Sequence, residues 1–293
     1  MVGGTRHDGA MAEAHQEEPY EEELPAWSLP ASALDAIRMP PTWPERVDRE
    51  WAWGGSTGKG AVVAVVDSGI ERGHPLVGEV EEAVVVTGGK GEEPRIEEDE
   101  QGDACGHGTA CAGIIRALAP ECRLVSVRVL GSGYTGSGRM LVAGLRWAIE
   151  QGVDVINMSL STTKLDLAAA LHELTDAAYF NRTIVVASAH NMPVESFPWR
   201  FSSVLSVGSH ELDDGGAFFY NPSPPVEFFA RGVEVDIAWL GGATISSTGN
   251  SFATPHMSGH CALIRAKHPE LTPFQVKSVL YLTANNVLEE AHG

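Results

Sequence analysis

Short apolar runs separated by helical stretches constrain what this chain can fold into. Ala61–Val66 (AVVAVV) is apolar at every position, and Arg123–Leu130, Val153–Leu160, Thr183–Ala187 and Val204–Gly208 carry similar Val/Ile/Leu-rich cores. A strand that is apolar on consecutive residues is covered on both faces, which is the condition of a parallel sheet. His107–Leu118, Gly138–Gln151 and Leu165–Phe180 read as helices between the earlier runs, and Phe252–Lys267 and Pro273–Leu282 read as two more at the end. Strands alternating with helices of this length predict an α/β fold, a mostly parallel sheet with helices on both faces. The segment Glu79–Asp103, dense in Glu and Asp, reads as a solvated loop between the first strand and the first helix. Residues 1–45 read as an acidic, Pro-containing tail or short pro-segment, 46–288 as the folded domain and 289–293 as a C-terminal tail.

Charge and cysteine usage narrow the function classes. A formal net charge of −19 argues against nucleic-acid binding, because phosphate backbones need basic patches. No stretch reaches the roughly 18 apolar residues that a membrane-spanning helix needs. The start of the sequence is polar and acidic where a secretory signal would be basic and then apolar, so a cytoplasmic location is expected. Cys105, Cys111, Cys122 and Cys261 have neither CxxC nor zinc-ligand spacing and read as reduced thiols, with no metal site. Gly54–Gly60 (GGSTGKG) precedes a strand instead of joining strand to helix and lacks phosphate-loop spacing.

In open parallel sheets, reactive groups gather where the strands end at their carboxyl edge. Asp67 follows the first strand, Leu160 and Ser161 end another, and Asn191 follows a fourth. Three local settings there suit nucleophilic hydrolysis: VVDSGI around Asp67, GHGT around His107 and GNSFATPH around Ser251. Serine needs an imidazole to take its proton, a carboxylate to orient that imidazole, and donors for the oxyanion that forms. Gly106 and Gly108 would leave the His107 ring accessible, and Ser251 at a helix start would sit near unpaired backbone N–H groups.

These three blocks, in the order Asp, His, Ser, resemble the subtilisin-like serine peptidases, as do VSVRVLGSGYTGSGRMLVAGLRWAIEQGVDVINMSL and VLSVGS between them. The resemblance covers about Val47 to Val287 and implies the subtilisin-like three-layer sandwich and a serine endopeptidase. It implies Asp67, His107 and Ser251 as the triad and Asn191 as the side-chain donor of the oxyanion hole. It implies that Ser159, Leu160 and Ser161 on one side, and Gly136, Ser137 and Gly138 on the other, pair with a peptide or protein substrate held as an extended strand. His256 matches a structural histidine of the family.

Several departures sharpen the expectation. Ser161 and His190 stand where the family commonly has glycine, and both positions border the primary specificity pocket. An enzyme that cuts after small or acidic residues is one alternative, and a His190 ring turned away from the pocket is another. GIIRALAPEC follows His107 without the oxygen-bearing loop that holds calcium in secreted relatives, so no cofactor is expected. The acidic stretch Glu92–Asp103 could hold calcium weakly, though a solvated charge run is the favoured reading. About 45 residues precede the domain, fewer than a folded pro-domain takes; Leu24–Pro44 is either a self-blocking segment or inert. The expected function is a monomeric, selective protease that matures one precursor, and the alternative is a silent peptide-binding module with the same fold.

Overall fold

The computed structural model describes residues 25, 28–37, 43–88, 91–133 and 135–290. The chain divides into two compact units, Met1–Trp43 and Pro44–Gly293. Most of the tail expected over residues 1–45, and the last three residues of the C-terminal tail, lie outside the described residues. The first unit contributes a short helix, α1 (Ala31–Leu34).

The second unit begins with α2 (Arg49–Trp53) and β1 (Val62–Asp67), followed by β2 (Glu82–Thr87), β3 (Arg95–Glu98) and α3 (His107–Leu118). Then come β4 (Arg123–Arg128), α4 (Gly138–Glu150), β5 (Val155–Met158), α5 (Ala168–Phe180), β6 (Ile184–Ser188) and β7 (Leu205–His210). Strands β8 (Phe218–Tyr220), β9 (Phe228–Arg231), β10 (Val235–Trp239) and β11 (Ala243–Ser247) precede the helices α6 (Asn250–Lys267), α7 (Pro273–Thr283) and α8 (Asn285–Glu290).

Nine strands form one sheet in the order β3-β2-β4-β1-β5-β6-β7-β9-β8, and β10 and β11 form a separate hairpin. Pairing is parallel from β2 through β9, and antiparallel only where β3 and β8 close the two edges. The fold is therefore the α/β sandwich that the apolar runs predict. Alternate residues of each strand face opposite sides. Ala64, Val66, Ile156, Met158, Val185 and Ala187 pack with Leu141 and Leu145 of α4 and Leu171 and Leu174 of α5 in one apolar cluster. Asn157, between Ile156 and Met158, points the other way and accepts a hydrogen bond from Ser258 of α6 at 2.9 Å. So α4 and α5 cover one face and α6, packed against α3, covers the other.

The expectation of a solvated loop over Glu79–Asp103 is wrong. Ala83, Val84 and Val86 are buried, and β2 inserts beside β4. A Val-rich core flanked by glutamates has the composition of a loop but the side-chain pattern of a strand. Asp99, fully buried, ends this segment in an ion pair with Arg128, at 2.8 and 2.9 Å. Helix α6 also starts earlier than Phe252, at Asn250.

Candidate active site

Because β1, β5 and β6 are parallel neighbours, their carboxyl ends lie side by side, and Asp67, Ser159 and Asn191 follow at or just beyond them. Asp67 is completely buried. The His107 ring donates from Nδ1 to its carboxylate, 2.8 Å from Oδ1 and 2.9 Å from Oδ2, and the Ser68 N–H donates to Oδ1 at 2.8 Å. A hydrogen on Nδ1 leaves Nε2 unprotonated in the neutral ring, the form in which that nitrogen has a lone pair to accept a proton. Burial works against the charged form of His107, but the charge and hydrogen bond of Asp67, with the charge of Asp103, outweigh it and raise the pKa.

Asp103 was not singled out by the sequence, yet it builds the loop that carries His107. Its Oδ1 accepts from the Ser68 hydroxyl (2.7 Å) and from the N–H groups of Cys105 (2.9 Å) and Gly106 (2.8 Å). Its Oδ2 accepts from the Thr109 N–H (2.8 Å) and hydroxyl (2.6 Å). The two glycines beside His107 also serve a tighter purpose than leaving the ring accessible. Gly106 has φ of 92°, and a Cβ on Gly108 would lie 2.0 Å from the Gly69 carbonyl oxygen. Side chains are excluded at both positions by backbone conformation and close approach.

Ser251 is the second residue of α6. Pro255, inside that helix, has no N–H to give the carbonyl four residues earlier, which belongs to Ser251. The Ser159 hydroxyl donates to that carbonyl instead, at 2.8 Å. Ser159 in turn accepts from Asn157 Nδ2 (3.1 Å), whose Oδ1 accepts from Ser258 (2.9 Å). A buried polar chain thus ties the Ser251 backbone to the end of β5.

Asn191 is fixed from behind. Its Oδ1 accepts the Asn250 N–H at 3.0 Å, so its Nδ2 faces the other way. Asn250 is locked by its own amide, which accepts from the Ser209 N–H (2.9 Å) and donates to the Ala189 carbonyl (3.2 Å). A Cβ placed on Gly249 would meet Ser251 Oγ at 3.1 Å and Asn191 Nδ2 at 3.5 Å. Those two polar atoms therefore flank one small space, which a side chain at position 249 would crowd. His107, Asn191 and Ser251 all border the same cleft, of about 330 Å³.

Among the described residues, Asp67, His107 and Cys111 bring three potential metal-ligating atoms within 4.8 Å of one another. Asp67 is already engaged by two donors, and burial, followed by the charge of Asp67, pushes the Cys111 thiol well above its usual pKa. A protonated thiol is a poor ligand, and the Cys111 Sγ lies 3.7 Å from the Ser251 carbonyl as a weak donor.

Comparison with known proteins agrees with this geometry. The family model for the subtilase family matches residues 58–293. The chain belongs to the subtilase family. It is 33% identical over 248 residues to subtilisin DY of Bacillus licheniformis, covering 80% of this chain and 86% of that protein. It is 32% identical over 244 residues to subtilisin Savinase of Lederbergia lenta, again over 80% and 86% of the two. A solved structure described as a cold adapted subtilisin-like serine proteinase superposes with a TM-score of 0.64 at 26% identity, covering 78% of this chain and 83% of that one. This subtilase is accordingly a serine endopeptidase acting on peptide or protein substrates.

The remaining sequence-derived positions border the cleft of this subtilase as well: Gly136, Ser137 and Gly138 from one segment, and Ser159, Leu160, Ser161 and His190 from others. Ser137 caps α4, its hydroxyl accepting the Met140 N–H at 3.2 Å. The Ser159 side chain is turned inward to Ser251, and Leu160 packs against the core. His190 Nδ1 accepts the Met192 N–H at 2.9 Å. His256 is buried, with Nδ1 at 2.9 Å from the Phe252 carbonyl, and burial pushes its pKa down to about 4.

Proposed function

We propose that Ser251, His107 and Asp67 are the catalytic triad, that Asn191 and the Ser251 N–H receive the oxyanion, and that the enzyme matures a specific precursor peptide. The observation that carries the assignment is the buried Asp67–His107 pair facing a cleft in which Ser251 Oγ and Asn191 Nδ2 flank one space. His107 Nε2 takes the Ser251 proton as Oγ attacks the substrate carbonyl, and gives it to the leaving amine. Asp67 holds the Nδ1–H tautomer and stabilises the imidazolium. Asn191 Nδ2 donates to the carbonyl oxygen as it becomes negative. Water then releases the acyl group by the same steps. Main-chain groups of Gly136–Gly138 and Ser159–Ser161 bind the substrate as an added strand.

Selectivity is supported by Ser161 and His190, which border the cleft at positions where the family commonly has glycine. Four free thiols fit a reducing compartment such as the cytoplasm. The test is product mapping by mass spectrometry on a peptide library and on unfolded casein. Cleavage confined to a narrow set of sequences is expected. Rapid digestion of casein at many unrelated sites would sink the maturation role.

A further inference from the structure

The cleft runs against the charge of the chain. The sequence has 39 Asp and Glu against 20 Lys and Arg. Among the described residues that border the cleft, none carries a carboxylate, while Lys164 and His190 both contribute. Their positions follow from the walls. One wall continues β5 through Ser159 to Thr162, and the other continues β6 from Ser188 to Asn191. Beyond them, Thr162 and Phe197 exchange two backbone hydrogen bonds of 2.9 Å, which ties the end of the first wall to the segment that follows the second.

Lys164 follows two residues after Thr162, exposed, with its backbone N–H turned back to the Thr162 hydroxyl at 3.3 Å. Its ammonium makes no ion pair or hydrogen bond with any described residue. His190 directly precedes Asn191, and because its Nδ1 accepts from Met192, its Nε2 is the ring's donor. The cleft that Ser251 borders is thus also bordered by hydroxyls, a ring donor and an uncompensated cation. We propose that the cleft selects Asp or Glu at the substrate residue whose carbonyl is attacked, with Lys164 and His190 as the specificity-determining residues. A carboxylate there exchanges water for charge-assisted hydrogen bonds, whereas a basic side chain is repelled and a large apolar one strips the donors of water without replacing it.

The inference rests on the peptidase reading above, and one experiment separates the two. Peptides differing only in Glu, Gln, Lys or Phe at the cleaved residue are assayed for kcat/KM, alongside labelling by a fluorophosphonate. Glu is expected to exceed Gln by about tenfold, the factor that ~1.4 kcal/mol of charge pairing gives. The advantage should shrink with added salt, because Lys164 is exposed. Lys164→Glu should invert the preference towards Lys, and His190→Gly should lower the Glu-to-Gln ratio. A ratio near one in the parent enzyme, or a ratio unmoved by both substitutions, overturns acid selection while labelling keeps the peptidase reading intact. Neither labelling nor cleavage of any peptide overturns both.

Discussion

Replacing Asp103 by Asn should cost both stability and the position of the acid limb of activity. Asp103 accepts five donors, three at Oδ1 and two at Oδ2. The asparagine amide fits best with its NH2 towards Thr109, whose hydroxyl can turn to accept. The Thr109 N–H then faces another donor and is orphaned in the interior, at about 1–3 kcal/mol. The bonds that survive lose their charge assistance, worth roughly half of each. Together the loss comes to about 2–4 kcal/mol, read as a lower urea midpoint at constant slope. The kinetic effect has a defined sign. His107 must be neutral to take a proton, so kcat/KM falls as pH drops through its pKa. That pKa is raised, despite burial, by Asp67 and Asp103, which puts the limb of the parent enzyme above the ordinary histidine value of about 6.5. Removing the Asp103 charge should move the limb to lower pH. An Asp103→Asn enzyme with parental stability, or with its acid limb unmoved, would refute the reasoning.

Asn191→Leu should lower kcat with little change in KM, by about the 10²–10³-fold that removing this donor costs in subtilisin itself; steady-state kinetics on one peptide decides it, and a parental kcat would count against Asn191 as an oxyanion donor. Ser159→Ala leaves the Ser251 carbonyl without the hydroxyl that replaces the N–H missing at Pro255. A loss of about 1–3 kcal/mol in thermal or urea unfolding follows, and no measurable loss would mean that the buried chain does not hold Ser251. His260 is buried with no hydrogen-bond partner at either ring nitrogen, and burial, then His256 and Arg49, pushes its pKa down to about 3. Since the unfolded ring titrates near about 6.5, its contribution is complete above that pH and is lost as pH falls towards the folded value. His260→Leu should therefore lower the acid-unfolding midpoint, with a relative gain of roughly 2 kcal/mol at pH 5; circular dichroism against pH would expose the error if the midpoint did not move.

How much of this was legible in the sequence depends on the kind of contact involved. β1, β4, β5, β6 and β7 were readable because burial on both faces keeps most of their residues apolar, with polar positions few or near the strand ends. β2 was not, because its Val84–Val86 core lies within a run of glutamates that dominates the local composition. β11, exposed over most of its length, has no apolar period to detect. The candidate triad was legible because each member sits in a short, chemically distinctive block. Asp103 and Asn250 act through backbone N–H groups distant in sequence or hidden in a loop, and nothing in their immediate neighbours announces that. The Gly-His-Gly motif pointed to the right place for an incomplete reason, since the close approach of Gly69 to Gly108 exists only in the folded chain.

The assignment of Ser251 as the nucleophile is tested most directly by covalent capture. The purified chain is incubated with a fluorophosphonate, its intact mass is measured, and the modified peptide is sequenced. One adduct per chain, located on Ser251 and abolished by Ser251→Ala, is the predicted result. An adduct on another residue, or undiminished labelling of the Ser251→Ala protein, would contradict it.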